Sequence, residues 1–277
     1  MRKLILKTLI LILILSFFNQ KESKVIQNEI PILMYHDISL DPLKTNKICL
    51  TKDRFERDLN YLQNNGYKTI SFKDLIDYKE GRKSLPDKPV IITFDDGRPG
   101  VYKYAYPLLK ERNMKMTFFV IGKRLEQKSE DKKYGEYINW NQAKEMYDSG
   151  LIEIQPHTYD MHYFRESLTR GVGVLPLKEE TKEDHYYRFR DDTIKIMAQI
   201  KKKTGSDSYV FSYPYGKKND NNDRVIRDLG FKASVITNTR YADISNSLFN
   251  LRRINIPSHI ELRELLNRVK NLDNKKA

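Results

Sequence analysis

Eight short runs rich in Val, Ile, Phe and Tyr recur along the chain with room for a helix between most of them, and this alternation limits the fold more than any other feature. The runs are Ile32–Tyr35, Tyr67–Ile70, Val90–Phe94, Met116–Ile121, Ile152–Gln155, Tyr209–Tyr213, Lys232–Thr237 and Leu251–Ile256. Near-continuous apolar runs of this length suit strands buried on both faces. Between them, Phe55, Leu59 and Leu62 keep helical spacing up to Gly66, and Ala143, Met146 and Tyr147 do so up to Gly150. Each places a glycine where a helix C-cap favours one. Ser258 and Glu261 read as a capping box opening a last helix that carries Leu262, Leu265, Leu266 and Val269. A helix between two strands returns the chain to the same end of the sheet, so the strands must run parallel. The 277 residues hold no internal repeat and no long interior linker. The expectation is therefore one α/β domain, a closed or nearly closed barrel of seven or eight parallel strands rather than an open doubly wound sheet.

The N-terminus carries a different signal. Arg2, Lys3 and Lys7 precede an apolar run from Leu9 to Phe18, the pattern of an export signal and too short to cross a bilayer with ease. Residues 1–20 are read as an export signal or retained N-terminal membrane anchor, 21–29 as a polar connector, and 30–277 as the catalytic domain. Fifty basic against 37 acidic residues give a net charge of +13, and removal of residues 1–20 leaves +10. That excess suits an anionic membrane or cell wall; nucleic-acid binding would use the charge alone, and the export signal opposes it. Cys49 is the sole cysteine. It excludes an intramolecular disulfide and a cysteine zinc cage, and reads as a small buried apolar group.

Chemistry-bearing residues gather where strands end. Ile91–Gly97 reads I-I-T-F-D-D-G, a strand running into two adjacent carboxylates, Asp95 and Asp96. Asp-Gly is also an ordinary turn signal, so the pair alone decides little. Ile152–His162 reads I-E-I-Q-P-H-T-Y-D-M-H. His157 and His162, five apart, would diverge by about 140° on a helix, so they can converge only from a loop. Two imidazoles from such a loop and a carboxylate from another make a three-ligand metal site that leaves a position open. Asp160 between them is by default a turn residue. F-S-Y-P-Y-G at Phe211–Gly216 offers backbone N–H groups and an aromatic wall, and L-M-Y-H at Leu33–His36 delivers one more histidine. Parallel barrels place catalytic groups at those C-terminal strand ends. His185, within K-E-D-H-Y-Y-R, reads as a surface helix residue, and His259 as part of the last helix's cap.

Taken in order, T-F-D-D-G, H-T-Y-D-M-H and Y-P-Y-G resemble the first three motifs of the polysaccharide deacetylases, metal-dependent carbohydrate esterases with a distorted (β/α) barrel. M-Y-H ahead of them is similar to the poly-β-1,6-N-acetylglucosamine deacetylase branch, in which an early histidine replaces the late one. The resemblance implies Asp95 as general base, His36 as general acid, and Asp96, His157 and His162 as ligands of a divalent metal, zinc first with cobalt or nickel as alternatives. Tyr213, Pro214 and Tyr215 are the expected substrate contacts, and a turn N–H near Tyr215 could share the oxyanion. His259 is the rival acid. The family's arginine before the third-motif proline is absent, Ser212 standing in its place, which leaves open what orients Asp95.

The function so implied is hydrolysis of N-acetyl groups from an extracellular N-acetylglucosamine polymer, with an N-acetylated polysaccharide as partner and no protein partner expected. A peptidoglycan or chitooligosaccharide deacetylase and a carbohydrate-binding pseudoenzyme remain as alternatives; the intact metal and base residues argue against the latter. Adjacent carboxylates on one strand end do not flank a glycosidic bond as a glycosidase requires.

Overall fold

The computed structural model describes residues 28–127, 135–164 and 171–274. The residues read as an export signal, most of those read as a connector, and three C-terminal residues lie outside them. Among the described residues no helix is long and apolar enough to cross a membrane.

All eight expected strands form: β1 (Ile32–Tyr35), β2 (Lys68–Thr69), β3 (Pro89–Phe94), β4 (Met116–Val120), β5 (Ile152–Pro156), β6 (Val210–Ser212), β7 (Ala233–Thr237) and β8 (Leu251–Asn255). Seven make one parallel sheet in the order β5-β4-β3-β1-β8-β7-β6, and β2 pairs with the start of β3. The helices are α1 (Lys52–Asn64), α2 (Phe72–Lys79), α3 (Tyr106–Glu111), α4 (Gly122–Leu125), α5 (Trp140–Asp148), α6 (Lys182–Thr204), α7 (Asp220–Asp228) and α8 (Leu262–Asn274). This is the expected α/β single domain, a nearly closed barrel. At the junction of the expected connector and catalytic domain, Glu29–Ile30 pairs antiparallel with Ala242–Asp243.

Sequence pattern and structure meet strand by strand. β3 is buried along its whole length, as a strand between two neighbours and beneath helices must be. α1 is capped by Thr51, whose hydroxyl accepts from the Arg54 amide, and it turns Phe55, Leu59 and Leu62 inward at full burial. Gly66 and Gly150 sit at φ +77° and +72° just past α1 and α5, a conformation open to glycine at little cost.

Closure is incomplete between β5 and β6, and side chains span the gap. The Gln155 amide, fully buried, accepts from the N–H groups of Tyr209 (3.0 Å) and Val210 (3.2 Å) and donates to Asp207 O at 2.8 Å. Ser206 Oγ donates to Ile154 O at 3.2 Å. Buried backbone groups that lack a ladder partner are thus satisfied. Below the gap, Glu153 accepts from the first amides of α2, Phe72 and Lys73 (3.0 Å each), from Thr117 Oγ1 at 2.7 Å and from the Tyr209 hydroxyl. A carboxylate at a helix N-terminus also meets the favourable end of the dipole.

Two expectations are corrected. α8 begins at Leu262, so Ser258 does not stand at its N-cap position. Arginines of α1 hold this turn: the Ser258 backbone carbonyl accepts from Arg54 Nη1 at 3.2 Å, and Glu261 pairs with Arg57 at 3.0 Å and Arg54 at 3.4 Å. His185 is helical, on α6, but buried rather than exposed. Its Nε2 donates to Val174 O (2.7 Å) while Asn221 donates to its Nδ1 (3.1 Å), and burial lowers its pKa. Its charged sequence neighbours occupy the other faces of the helix. Cys49 is buried as expected, and burial pushes its thiol up to about 11.

Candidate active site

Asp95, His157 and His36 each follow the last residue of a strand, and ladder bonds continue one step to fix the first two: Asp95 N–H donates to Tyr35 O (3.1 Å) and His157 N–H to Val120 O (3.0 Å). Asp37, next to His36, holds that strand exit by accepting from the amides of Ile38 (2.9 Å) and Gly100 (3.0 Å). The approach tolerates only glycine at position 100, where a Cβ would lie 1.8 Å from Ile38 O. Three residues that line this end, Asp96, Thr158 and Tyr215, have φ of +77°, +84° and +58°. Such conformations cost on the order of 1–3 kcal/mol each and persist where surrounding contacts enforce them.

Asp96, His157 and His162 are brought together, with one potential ligand atom from each lying within 4.8 Å of the others. His162 Nε2 is 3.2 Å and His157 Nε2 3.7 Å from Asp96 Oδ1. The opposite ring nitrogens are engaged, His157 Nδ1 with Ser212 O (2.7 Å) and His162 Nδ1 with the Tyr215 hydroxyl (3.0 Å). Hydrogen on both Nδ1 atoms would leave both Nε2 lone pairs free for a metal on the Asp96 side, the tautomer a metal ligand requires. Burial lowers the His157 pKa to about 4, against an opposing pull from Asp95, so the ring is neutral at pH 7. Burial alone would raise the Asp96 carboxyl, but the hydrogen bond and charge of His162 hold it well below the carboxylate range. A deprotonated carboxylate and two imidazoles in one cluster fit a divalent metal of the zinc type. Asp160 stands outside the cluster, paired with Lys123.

Asp95 has an arginine after all, delivered by another strand. Arg253 of β8 is fully buried inside the barrel and grips the carboxylate with both arms, Nη1 to Oδ1 and Nη2 to Oδ2 at 2.7 Å each. Its Nη2 also donates to Ser212 Oγ (2.9 Å) and its Nη1 to Thr93 Oγ1 (3.2 Å). Burial would raise the Asp95 carboxyl, yet Arg253 reverses this and keeps it below its usual range. Sequence reading missed Arg253; the signal was a charged residue two positions from Leu251 on a strand, hence on the same inward face.

His36 is half-buried and is among the groups whose charge lowers both aspartates, whereas His259 is exposed in the turn before α8. The expected substrate contacts narrow to one. Tyr213 and Pro214 are buried, and the Tyr213 hydroxyl donates to Asp223 at 2.8 Å, because that ring completes the core beneath α7. Tyr215 alone is open to solvent, with Phe164 edge-on at 5.7 Å. Opposite stands Tyr137, whose ring carries the Arg98 guanidinium at 4.6 Å.

Comparison with known proteins agrees with this geometry. The family described as polysaccharide deacetylase matches residues 82–234, more than half of the chain. The Bacillus subtilis protein YxkH, whose name refers to the same family, is 29% identical over 82% of this chain and 71% of its own. A poly-β-1,6-N-acetyl-D-glucosamine N-deacetylase of Staphylococcus aureus is 28% identical over 66% of this chain, which spans 59% of that relative's length. The solved structure of IcaB from Ammonifex degensii superposes with a TM-score of 0.71 at 28% identity, covering 88% of this chain and 96% of that one. With the family match extending across the aspartate pair, the histidine loop and the Tyr215 turn, this chain belongs to the metal-dependent polysaccharide deacetylase family.

Proposed function

We propose that this chain is an exported enzyme that hydrolyses the N-acetyl groups of poly-β-1,6-N-acetylglucosamine, releasing acetate. The observation that carries the reading is the convergence at one barrel mouth of Asp95, Asp96, His157 and His162 with His36 at an adjoining strand end. The β-1,6 linkage is supported by relatives named for that polymer and by the exposure of the late histidine, His259. Export, and association with the membrane or cell wall, are supported by the basic and apolar N-terminus and by the surviving charge of +10.

Amide hydrolysis needs an activated water, a home for charge on the carbonyl oxygen and a proton for a poor leaving group. A divalent metal held by Asp96, His157 and His162, with zinc the first choice, would acidify water and polarise the acetyl carbonyl. Asp95, kept ionised and oriented by Arg253, takes the proton of the attacking water. In the Tyr215 turn the amides of Gly216 and Lys217 are taken by Tyr213 O and Pro214 O, which leaves the Tyr215 amide to meet the developing oxyanion. His36 passes a proton to the departing sugar nitrogen. Tyr215, with Phe164 beside it, offers an apolar face to the sugar ring.

Acetate release by purified protein from defined β-1,6 and β-1,4 N-acetylglucosamine oligomers, with and without a chelator, tests the proposal. Chelator-sensitive release with preference for the β-1,6 series is expected. Preference for β-1,4 oligomers refutes the polymer assignment, and undiminished turnover after verified metal removal refutes the mechanism.

A further inference from the structure

We propose that Asp192, on α6, is a positioning residue that holds the His157–His162 loop in the backbone path aiming both imidazoles at Asp96. The proposal rests on the metal-site reading above. The path needs holding. Thr158 sits at φ +84°, an outlier for a β-branched residue, and its buried hydroxyl has no hydrogen-bond partner. What compensates is a two-sided grip on the next peptide groups. From one side, the opening amides of α4 donate to the loop carbonyls, Gly122 N–H to Thr158 O at 3.1 Å and Lys123 N–H to Tyr159 O at 2.9 Å. From the other, Asp192 accepts from both following amides, Tyr159 N–H at Oδ1 and Asp160 N–H at Oδ2, each at 2.8 Å.

The grip demands a carboxylate. Two consecutive N–H donors need two acceptors a carboxyl width apart; an asparagine of the same size offers one and turns an NH₂ group toward the other donor. Hydrogen bonds to an ionised acceptor are also about twice as strong as neutral ones. Packing leaves the loop no alternative seat, since a Cβ on Gly122 would lie 2.6 Å from Ile196 Cδ1 of α6 and 2.9 Å from the Tyr159 ring. The side chains of Asp160 and Tyr159 are committed elsewhere: Asp160 pairs with Lys123, and the Tyr159 hydroxyl donates to Glu126 at 2.9 Å with Lys195 Nζ 3.7 Å over its ring. Asp192 touches neither imidazole and acts through the backbone between them.

The test is zinc affinity, measured by competition with a chromophoric chelator, together with kcat and KM, on wild type, Asp192→Asn and Asp74→Asn. Removal of groups that orient metal ligands typically costs about 10- to 100-fold in affinity. Asp192→Asn is expected to weaken zinc binding by that factor and to lower kcat with KM unchanged. Asp74 caps α2 and pairs with Lys83 and Lys115 away from the site. Asp74→Asn should lower the melting temperature and leave zinc affinity as it is. Asp192→Ala, which lets water reach the freed amides of this half-buried position, should weaken zinc in the same direction without the donor–donor clash. Zinc affinity and kcat within about twofold of wild type in both Asp192 variants would overturn the proposal while leaving the metal site intact. A wild type that binds no zinc would overturn both.

Discussion

Replacing Arg253 by Met removes the guanidinium from a carboxylate that has nowhere else to turn. Arg253 is fully buried and Asp95 is 2% exposed, so solvent does not screen the pair, and two 2.7 Å charge-assisted bonds are lost together. Breaking a buried ion pair from one side costs about 3–5 kcal/mol, because the remaining charge stays desolvated. The protein can reduce that cost by protonating Asp95. At about 1.4 kcal/mol per pKa unit, the lost interaction corresponds to a rise of about 2 units or more, and burial, no longer opposed by Arg253, then holds the carboxyl above its ordinary range. The sign then reverses. In wild type the depressed Asp95 contributes stability above the unfolded pKa, lost as pH falls through the folded one. In the variant the raised Asp95 is tolerated when protonated and destabilises as pH rises past the unfolded value. Thermal melts at pH 5 and pH 8 should therefore show a larger deficit at pH 8. The acid limb of kcat/KM for acetate release should move up by about 2 pH units. Arg253→Lys, which keeps the charge without the two-armed geometry, should fall between. An acid limb within about half a unit of wild type in a folded, active Arg253→Met protein would refute the assignment of Arg253 as the group that orients and ionises Asp95.

Three further outcomes are expected. Asp95→Asn should retain metal and lose about 10²-fold or more in kcat, whereas Asp96→Ala should lose the metal itself; metal analysis decides, and equal loss in both contradicts the division of labour. His36→Ala should lower kcat by about 10²-fold with metal content unchanged, and His259→Ala should leave turnover near wild type; the reverse pattern would make the late histidine the acid and remove the main support for a β-1,6 substrate. In metal-free protein, His157 is held at about 4 by burial against about 6.5 in the unfolded chain. Between those values the unfolded chain binds a proton that the folded one refuses, so stability is complete above about pH 6.5 and falls by about 3 kcal/mol toward pH 4. Denaturant melts should show that slope, and His157→Gln should flatten it.

The sequence by itself determined the strands, their parallel course and the positions where chemistry emerges, because these are local matters. Burial on both faces forces apolar runs such as β3, glycine past α1 and α5 marks a backbone conformation closed to most residues, and a carboxylate or imidazole directly after a buried strand is delivered to the mouth. The family motifs lie on those same strand ends and were legible for that reason. What tertiary structure decided depends on partners far apart in the chain. Arg253 reaches Asp95 across 158 positions, and its place was taken locally by Ser212, so no motif could announce the substitution. Asp192 looks like one more charge on a 23-residue helix until the loop's amides are found on it. Tyr213 and Tyr215 are two residues apart in one motif, yet the first completes the core on Asp223 and only the second faces the site. Ser258 and Glu261 had the spacing of a cap, but the helix starts only at Leu262, with Arg54 on the Ser258 carbonyl and Arg57 on the Glu261 carboxylate. Local propensity is weak, of order 1 kcal/mol for a cap, and a charged partner brought alongside by the fold outweighs it.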